Sequence, residues 1–445
     1  MTKDLTAITD AIIARNPGED DFHQALRQVL ASLQPLVKKH PDYLDHALIQ
    51  RICEPERQII FRVPWVDDDH QVQVNRGFRV QYSSALGPYK GGLRFDPGLT
   101  LGTVKFLGFE QMFKNALTGL PIGAGKGGAD FDPHGRSEDE VMRFCQSFIT
   151  EMWRHLGDDI DIPAGDKGVG EREVGFMFGH YRRLTNRSEN GVITGKALTL
   201  GGLRGRAEAT GYGTVFFLQR MLETHNDNLD GKTCIVSGAG DVSIYAIEKI
   251  RDAGGVVRAC SDSGGFVQDD DGIDVELLKQ VKQDQGESLA AYAKTRKNAR
   301  FHKDKTPWGV ACDIAIPAAT ENELDAADAA RLIKNGVNIV AEGANMPCTA
   351  DATDAFRKAG VLFAPAKAAN AGGVAASVLE MQQNATLDDW DRDRTNRHLQ
   401  RIMTDLHDTC TSTAAEYGNG DDYMLGANIA GFQRVARAMR AMGVV

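Results

Sequence analysis

The stretch TCIVSGAGDVSIYAIEKIRDAGGVVRACSD, residues 233–262, decides the fold of the second half of the chain. A short apolar run leads into a glycine turn, a helical pattern follows, and a second apolar run ends the stretch. This order predicts a β-α-β unit with two parallel strands. Gly238 would permit the tight turn after the first strand, and Gly240 would let the backbone approach a pyrophosphate at the start of the helix. We therefore predict a Rossmann-type dinucleotide-binding domain.

Two other side chains of this stretch bear on the same interpretation. Asp262 follows Gly238 by 24 residues, at the end of the second strand, where ribose hydroxyls are read. Ser243 stands where the dinucleotide fingerprint has its third glycine, and we expect it only to loosen the packing of the helix on the strand. A glycine turn without a ligand is the alternative, and the surrounding β-α-β pattern argues against it.

Apolar runs of the same kind recur downstream. The segments CDIAIPAA (312–319), NIVAEGA (338–344) and VLFAPA (361–366) are short, continuously apolar and separated by helical or charged stretches. This pattern is typical of buried parallel strands. The glycine-rich and charge-rich stretch at 197–213 precedes them and is the predicted hinge. We therefore expect a doubly wound dinucleotide-binding domain over residues 200–423.

The first part of the chain has a different character. Residues 1–55 show helical spacing, and the alternating segments 58–66 and 70–83 are joined by an acidic turn, which predicts an antiparallel hairpin. The last helical segment is amphipathic and would pack back on this part. The predicted fold class is α/β, with an α+β domain formed by residues 1–199 and 424–445 beside the dinucleotide-binding domain.

Composition and charge exclude several classes of function. The 445 residues carry 51 basic and 61 acidic side chains, a net charge of −10, which argues against a protein that follows nucleic-acid phosphates. We see no secretory signal and no apolar run long enough to span a membrane. The seven cysteines are scattered without a C-x-x-C pair, which argues against a disulfide framework and a zinc site. We expect a cytoplasmic, metal-free protein that binds neither nucleic acid nor membranes.

Lysines stand beside glycines and on a helical segment in the first half. Lys90 lies in GPYKGG and Lys126 in GAGKGG, and such glycines suit a backbone that a ligand approaches. Gln111 and Lys114 are three residues apart on a predicted helix, so both can face one target. The turn PAGDKGVG (163–170) adds a carboxylate. Together with a dinucleotide domain, these groups predict a pocket for an anionic substrate that undergoes hydride transfer.

These segments resemble motifs of the hexameric glutamate dehydrogenases, within the Glu/Leu/Phe/Val dehydrogenase family, from about residue 50 to the C-terminal ANIAGF. The motifs similar to the substrate side of that family are YSSALGPYKGGLRF, KFLGFEQMFKNALTGLPIGAGKGGADFDP, DIPAGDKGVG and AANAGGVAASVLEM. Those similar to its cofactor side are AEATGYG, VSGAGDVS, ACSDSGG and AEGANMP. The resemblance implies reversible NADP-dependent oxidative deamination of L-glutamate to 2-oxoglutarate and ammonia. It also implies a homohexamer, in which the α+β domain binds substrate and oligomerises and the active site lies in the cleft between the domains.

The resemblance further implies a role for individual residues. Lys126 would be the general base and Asp166 would transfer the amine proton. Lys90 and Ser377 would hold the substrate γ-carboxylate. The residues implied at the α-carboxylate and amino group are Gln111, Lys114 and the backbone of Gly165. The residues implied at the dinucleotide are Thr210, Gly238, Gly240, Asp241, Asp262, Ser263, Lys282 and Asn345.

Two departures from the family pattern concern the cofactor. Asp241 stands where the family usually has asparagine, and a carboxylate beside a pyrophosphate is unfavourable unless it turns away or caps the helix. Gln285 and Ser288 stand where relatives that bind the 2′-phosphate often have arginine, and an acidic residue such as Asp262 more often suits a free 2′-hydroxyl. We predict NADP from the whole-chain resemblance, and NAD remains the alternative.

Two other functions remain open from the sequence. A leucine, valine or phenylalanine dehydrogenase would have the same architecture, but those relatives place apolar groups where Lys90 and Ser377 stand. A non-catalytic dinucleotide-binding sensor belongs to a different class, and the presence of Lys126 and Asp166 argues against it.

Overall fold

The structure, a computed structural model, describes residues 4–445, and these divide into two compact units. Unit 1 contains the chain up to Arg204 together with Ala376–Thr395 and Asn428–Val445. Unit 2 contains Gly205–Ala375 and Asn396–Ala427. The chain therefore passes from one unit to the other four times.

This division differs from the expected domains in the segment Ala376–Thr395, which the sequence pattern assigns to the dinucleotide-binding domain. Long-range polar contacts explain the difference. Lys196 Nζ lies 2.7 Å from Glu380 Oε1, and the Asn384 side chain donates to the carbonyl of Gly201 at 2.8 Å. These bonds attach the segment to unit 1.

Unit 1 begins with helices and continues with a mixed sheet. Up to Arg204, its helices and strands are α1 (Leu5–Ala14), α2 (Asp20–Ser32), α3 (Gln34–Lys39), α4 (Leu48–Ile52), β1 (Arg57–Val66), β2 (Val72–Ser83), β3 (Tyr89–Phe95), α5 (Leu101–Leu117), β4 (Ala124–Ala129), α6 (Glu138–Met152), β5 (Asp161–Gly165) and α7 (Glu171–Thr185). The five strands have the order β1-β2-β4-β3-β5. β1 and β2 pair antiparallel, from Arg57 opposite Gln81 to Val66 opposite Val72, which confirms the predicted hairpin.

The centre of unit 1 places three strands with candidate site residues side by side. β3 pairs parallel with β4 on one side and with β5 on the other. An aromatic core of β3, α6 and the segment after β4 supports this sheet, with Phe131 stacked on Phe144 at 3.8 Å between ring centroids and Phe95 packed edge-on against both. Because parallel strands expose their carboxyl ends at the same edge, the residues that follow β3 and β5 lie near each other.

Unit 2 is the predicted doubly wound domain. Its elements are α8 (Ala209–Thr224), β6 (Thr233–Val236), α9 (Asp241–Asp252), β7 (Val256–Asp262), β8 (Gly265–Asp269), α10 (Val275–Lys279), α11 (Leu289–Thr295), β9 (Ala299–Lys303), β10 (Ile314–Ile316), α12 (Ala326–Lys334), β11 (Ile339–Ala341), α13 (Ala350–Lys358), β12 (Leu362–Ala364) and α14 (Ala366–Ala369). The strand order is β12-β11-β10-β6-β7-β8-β9. The five predicted strands are parallel, as expected, whereas β8 and β9 extend the sheet antiparallel and lie outside the prediction.

The order of the strands places a switch point beside β6. The chain leads from β6 to β7 on one side, and the later strands β10, β11 and β12 lie on the other side. In doubly wound sheets the ligand binds at the carboxyl ends of the strands at this point. The glycine turn that follows β6 is therefore in the expected position.

Three long helices complete the chain, α15 (Gly372–Ala385), α16 (Arg392–Tyr417) and α17 (Tyr423–Met442). The Arg434 guanidinium on α17 donates to the carbonyls of Ala116, Gly119 and Leu120 at 2.5, 2.7 and 2.9 Å. These carbonyls lie at the C-terminal end of α5, where an arginine is favourable. The contacts confirm that the last helix packs back on unit 1. None of the helices within residues 4–445 is sufficiently long and apolar to cross a membrane.

Candidate active site

Lys90 lies in β3 and Lys126 in β4, and both side chains are buried. The expectation that their flanking glycines mark a ligand against the backbone is not needed, because strand packing requires these glycines. A Cβ at Gly91 would lie 1.8 Å from the carbonyl oxygen of Gly125, and a Cβ at Gly127 would lie 2.6 Å from that of Phe78. The glycines therefore let the strands carry two lysines into a crowded interior.

Lys126 forms an ion pair with Asp166, which directly follows β5. The Nζ–Oδ2 distance is 2.8 Å, and the side chain of Asp166 is 17% exposed. Arg94 Nε lies 3.5 Å from the same oxygen. Burial raises the pKa of Asp166, but Lys126 and Arg94 outweigh this effect and hold the pKa at about 2. Asp166 is therefore ionised at neutral pH, and Gly92 leaves room for it, since a Cβ there would lie 2.8 Å from Asp166 Cβ.

Lys90 has a partner that sequence reasoning missed. Its Nζ donates to Thr194 Oγ1 at 2.8 Å, and Thr194 is fully buried. The backbone N–H of Thr194 donates to the carbonyl of Pro163 in β5 at 3.1 Å. No local motif around Thr194 predicts this contact, which depends on pairing between the segment and β5. Ser377 lies on α15, is buried and belongs to the same unit.

Helix α5 carries Gln111 and Lys114 on one face, and both are partly buried. A Cβ at Gly91 would lie 3.3 Å from Gln111 Cγ, so Gln111 packs directly on β3. The Asn115 side chain donates to the carbonyls of Lys90 and Gly123 at 3.0 and 2.6 Å. These bonds fix α5 to the strand of Lys90. Unit 1 therefore contains every residue assigned to the substrate.

The residues assigned to the dinucleotide all belong to unit 2. Gly238 has a φ of 83°, which favours glycine, and its N–H donates to Ser261 Oγ at 2.9 Å. Gly240 is the N-terminal cap of α9, and a Cβ there would meet nothing within 4 Å. An open backbone at a helix N-terminus suits a pyrophosphate, so this turn fits the predicted dinucleotide.

Ser243 does more than loosen the packing of α9. Its hydroxyl donates to the carbonyl of Ser237 at 2.6 Å, and the residue is buried. The serine thus ties the helix to the end of β6, because a hydroxyl supplies a bond that glycine lacks. The expectation of a looser contact was wrong.

The Asp262 carboxylate is engaged by groups of its own unit. Oδ1 accepts the N–H of Gly264 at 3.0 Å, while Oδ2 accepts the N–H of Leu289 at 2.8 Å and Lys282 Nζ at 3.2 Å. Lys282 lies on a π-helical turn, Gln280–Asp284. The lysine balances the charge of the carboxylate, and neighbouring Ser263 is exposed.

The remaining cofactor positions lie near the same sheet edge or on α8. Asp241 is exposed in the first turn of α9 and accepts a hydrogen bond from the Gln283 side chain at 3.1 Å. This bond turns the carboxylate towards α10 and its π-helical turn. Asn345 follows β11, and its Oδ1 accepts from Asn370 at 3.2 Å. Thr210 is partly buried in the first turn of α8.

Comparison with known proteins agrees with both units. The family profile described as Glutamate/Leucine/Phenylalanine/Valine dehydrogenase matches residues 201–443, and the profile of the Glu/Leu/Phe/Val dehydrogenase dimerisation domain matches residues 55–183. The chain is 51% identical to the NADP-specific glutamate dehydrogenase of Escherichia coli K12, with 100% of each chain covered. It is 49% identical to the NAD-specific glutamate dehydrogenase of Porphyromonas gingivalis, with 97% of each chain covered.

Solved structures give the same result. The glutamate dehydrogenase of Plasmodium falciparum has a TM-score of 0.97 and 44% identity, covering 99% of this chain and 95% of that chain. The hetero-hexameric glutamate dehydrogenase of Thermus thermophilus has a TM-score of 0.86 and 27% identity, covering 97% and 98%. The chain belongs to the Glu/Leu/Phe/Val dehydrogenase family.

Proposed function

We propose that this protein is a glutamate dehydrogenase that catalyses the reversible NADP-dependent oxidative deamination of L-glutamate to 2-oxoglutarate and ammonia. The observation that carries the proposal is the buried Lys126–Asp166 pair, 2.8 Å long, in a sheet whose neighbouring strand presents a second buried lysine, Lys90. Full-length similarity to an NADP-specific glutamate dehydrogenase supports it.

The substrate has two carboxylates, and unit 1 offers two sets of cationic groups. Lys90 and Ser377 hold the γ-carboxylate in this proposal, since a buried ammonium and hydroxyl form charge-assisted hydrogen bonds with it. The groups at the α-carboxylate and amino group are Gln111, Lys114 and the backbone of Gly165. An apolar amino acid would leave Lys90 and Ser377 without a partner, which argues against the branched-chain and aromatic substrates.

Lys126 and Asp166 perform the proton transfers. Asp166, ionised at neutral pH, accepts a proton from the substrate amine as the Cα hydride departs and the imine forms. Lys126 removes a proton from the water that attacks the imine carbon, giving a carbinolamine that releases ammonia. The bound dinucleotide supplies the hydride acceptor, and Gly238, Gly240 and the groups around Ser263 would hold it. A non-catalytic sensor would give the buried pair no role.

A direct assay tests the proposed activity. Purified protein is expected to oxidise NADPH in the presence of 2-oxoglutarate and ammonium, with slower turnover of 4-methyl-2-oxopentanoate, whose side chain is apolar. Omission of ammonium is the control for hydride transfer to the oxo acid itself. Turnover of the apolar oxo acid alone, or of neither oxo acid, would contradict the proposal.

Ser263 is the position at which we expect cofactor choice to be altered. Asp262 is already paired with Lys282, so the exposed serine and the lysine leave a site for a 2′-phosphate. Ser263→Glu should lower kcat/KM for NADPH by about 10- to 100-fold through like-charge repulsion. The value for NADH should change little, because a carboxylate accepts a hydrogen bond from a free 2′-hydroxyl.

The matched control for the added charge is Ser412→Glu on the exposed surface of α16, which should alter neither value. Equal losses for both cofactors in Ser263→Glu would show that this position does not read the 2′-substituent. The NAD-specific relative from Porphyromonas gingivalis, at 49% identity, makes NAD the alternative cofactor that this comparison decides.

We also propose a cytoplasmic homohexamer. The match to a dimerisation-domain profile and the hetero-hexameric relative from Thermus thermophilus support assembly into a hexamer. All seven cysteines are buried and unpaired, which suits a reducing compartment.

A further inference from the structure

We propose that the buried ion pair of Lys196 and Glu380 positions the groups that receive the distal carboxylate of the substrate. The inference rests on the proposed function, because an amino acid without a second carboxylate makes no demand on Lys90. Lys196 and Glu380 are positioning residues here, which act through Thr194 and Ser377 without touching the substrate.

One carboxylate organises the whole loop at residues 193–196. The side chains of Lys196 and Glu380 are fully buried, and Lys196 Nζ lies 2.7 Å from Glu380 Oε1. Nζ also donates to the carbonyl of Ile193 at 2.6 Å. Glu380 accepts the backbone N–H groups of Gly195 at 2.9 Å and of Lys196 at 3.4 Å. Gly195 has a φ of 86°, so the loop depends on glycine to present its N–H in this way.

This loop leads directly to the acceptor of Lys90. Thr194 lies between Ile193 and Gly195, and its Oγ1 accepts the hydrogen bond from Lys90 Nζ at 2.8 Å. On the other side, Ser377 precedes Glu380 by three residues on α15, so the two side chains share one face of the helix. Glu380 therefore connects the loop of Thr194 with the helix of Ser377.

Stability alone does not explain an ion pair at this place. Apolar side chains of similar volume often stabilise a core as well as a buried ion pair does. An apolar pair, however, cannot accept the N–H groups of Gly195 and Lys196, and the loop would lose this anchor. A displaced Thr194 would redirect the ammonium of Lys90, and misplacement by about 1 Å is enough to reduce catalysis strongly.

The test replaces both charges together, so that no buried charge is left alone. In Lys196→Met with Glu380→Leu, we expect kcat/KM for glutamate to fall about 10- to 100-fold, mainly through KM. The value for norvaline, which lacks the distal carboxylate, should change little. In Lys196→Met with Glu380→Gln, the amide oxygen still accepts from Gly195, so part of the glutamate-to-norvaline ratio should return.

The control removes another buried lysine pair of unit 1, Lys105 with Glu19, whose charged atoms are 3.1 Å apart. Lys105→Met with Glu19→Gln should leave the glutamate-to-norvaline ratio unchanged. If the Leu-containing variant does not fold, Glu380→Asp gives the same test, because it keeps the charge but withdraws the carboxylate from Gly195, and we expect the ratio to fall.

An unchanged ratio in the folded variants, or an equal fall for both amino acids, would overturn the positioning role. Wild-type protein that does not prefer glutamate to norvaline would instead overturn the proposed function. The same set of measurements therefore separates the two failures.

Discussion

Lys126→Ala is expected to lower kcat for glutamate deamination by about 10²–10⁴-fold, the usual effect of removing a general base. Lys126 is 5% exposed and lies in a strand between close neighbours, so solvent cannot readily replace its ammonium. The loss of its positive charge beside the reacting carbon adds to the effect. Substrate and cofactor should still bind, more weakly, since other residues hold both carboxylates. Steady-state kinetics together with dinucleotide binding monitored by fluorescence would measure both parts.

The control for this prediction must separate chemistry from stability. Lys126→Ala leaves Asp166 with Arg94 at 3.5 Å, so the pKa of Asp166 should rise from its value of about 2. Lys126→Ala with Asp166→Asn removes both charges and should be equally inactive but more stable. Lys167→Ala changes an exposed lysine beside Asp166 that pairs with Asp96, and it should retain nearly wild-type kcat. A Lys126→Ala enzyme with more than about a tenth of wild-type kcat would exclude Lys126 from the mechanism.

The pairing of Asp166 also has a consequence for pH. Its folded pKa, about 2, lies below the ordinary value of an aspartate. The ion pair therefore stabilises the fold above that ordinary value, and its contribution disappears as pH falls towards 2. In Lys126→Ala this contribution is reduced at every pH at which Asp166 is ionised.

The sequence predicted unit 2 far better than the centre of unit 1. Apolar runs such as 233–236 and 339–341 are strands by local pattern alone. The strands Tyr89–Phe95 and Ala124–Ala129 contain glycine and lysine, which disfavour strands, so their pattern resembles a loop. Only the neighbouring strands explain them, because Gly91 and Gly127 are required where backbones meet.

The candidate site shows the same limit. Lys126 and Asp166 could be proposed from motifs, whereas Thr194 and Glu380 belong to no motif that singles them out. Each becomes visible only through a partner distant in sequence, Lys90 for Thr194 and Lys196 for Glu380. The engagement of Asp262 by Leu289 and Lys282 likewise depends on the π-helical turn after α10, which no sequence pattern predicts.

Substrate specificity should reverse in part when Lys90 and Ser377 are made apolar together. A buried ammonium that faces a carboxylate forms a charge-assisted hydrogen bond, and its removal strands the substrate charge at a cost of about 2–5 kcal/mol. In Lys90→Leu with Ser377→Val, kcat/KM for glutamate should therefore fall about 10²–10⁴-fold, at ~1.4 kcal/mol per decade. Norvaline and methionine should gain relative to glutamate, because an apolar pocket accepts an uncharged chain but cannot solvate a carboxylate.

The competing explanation is that Lys90 serves only the protein, through its bond to Thr194 at 2.8 Å. In that case the double variant would lose activity towards both amino acids by the same factor. Thr194→Val provides the matched control: it removes the protein partner of Lys90 and keeps the ammonium, so the fall for glutamate should be smaller than in the double variant. Measuring kcat/KM for glutamate and norvaline on all three proteins decides between the explanations. A glutamate-to-norvaline ratio that stays constant at any absolute rate would mean that Lys90 and Ser377 do not read the side chain.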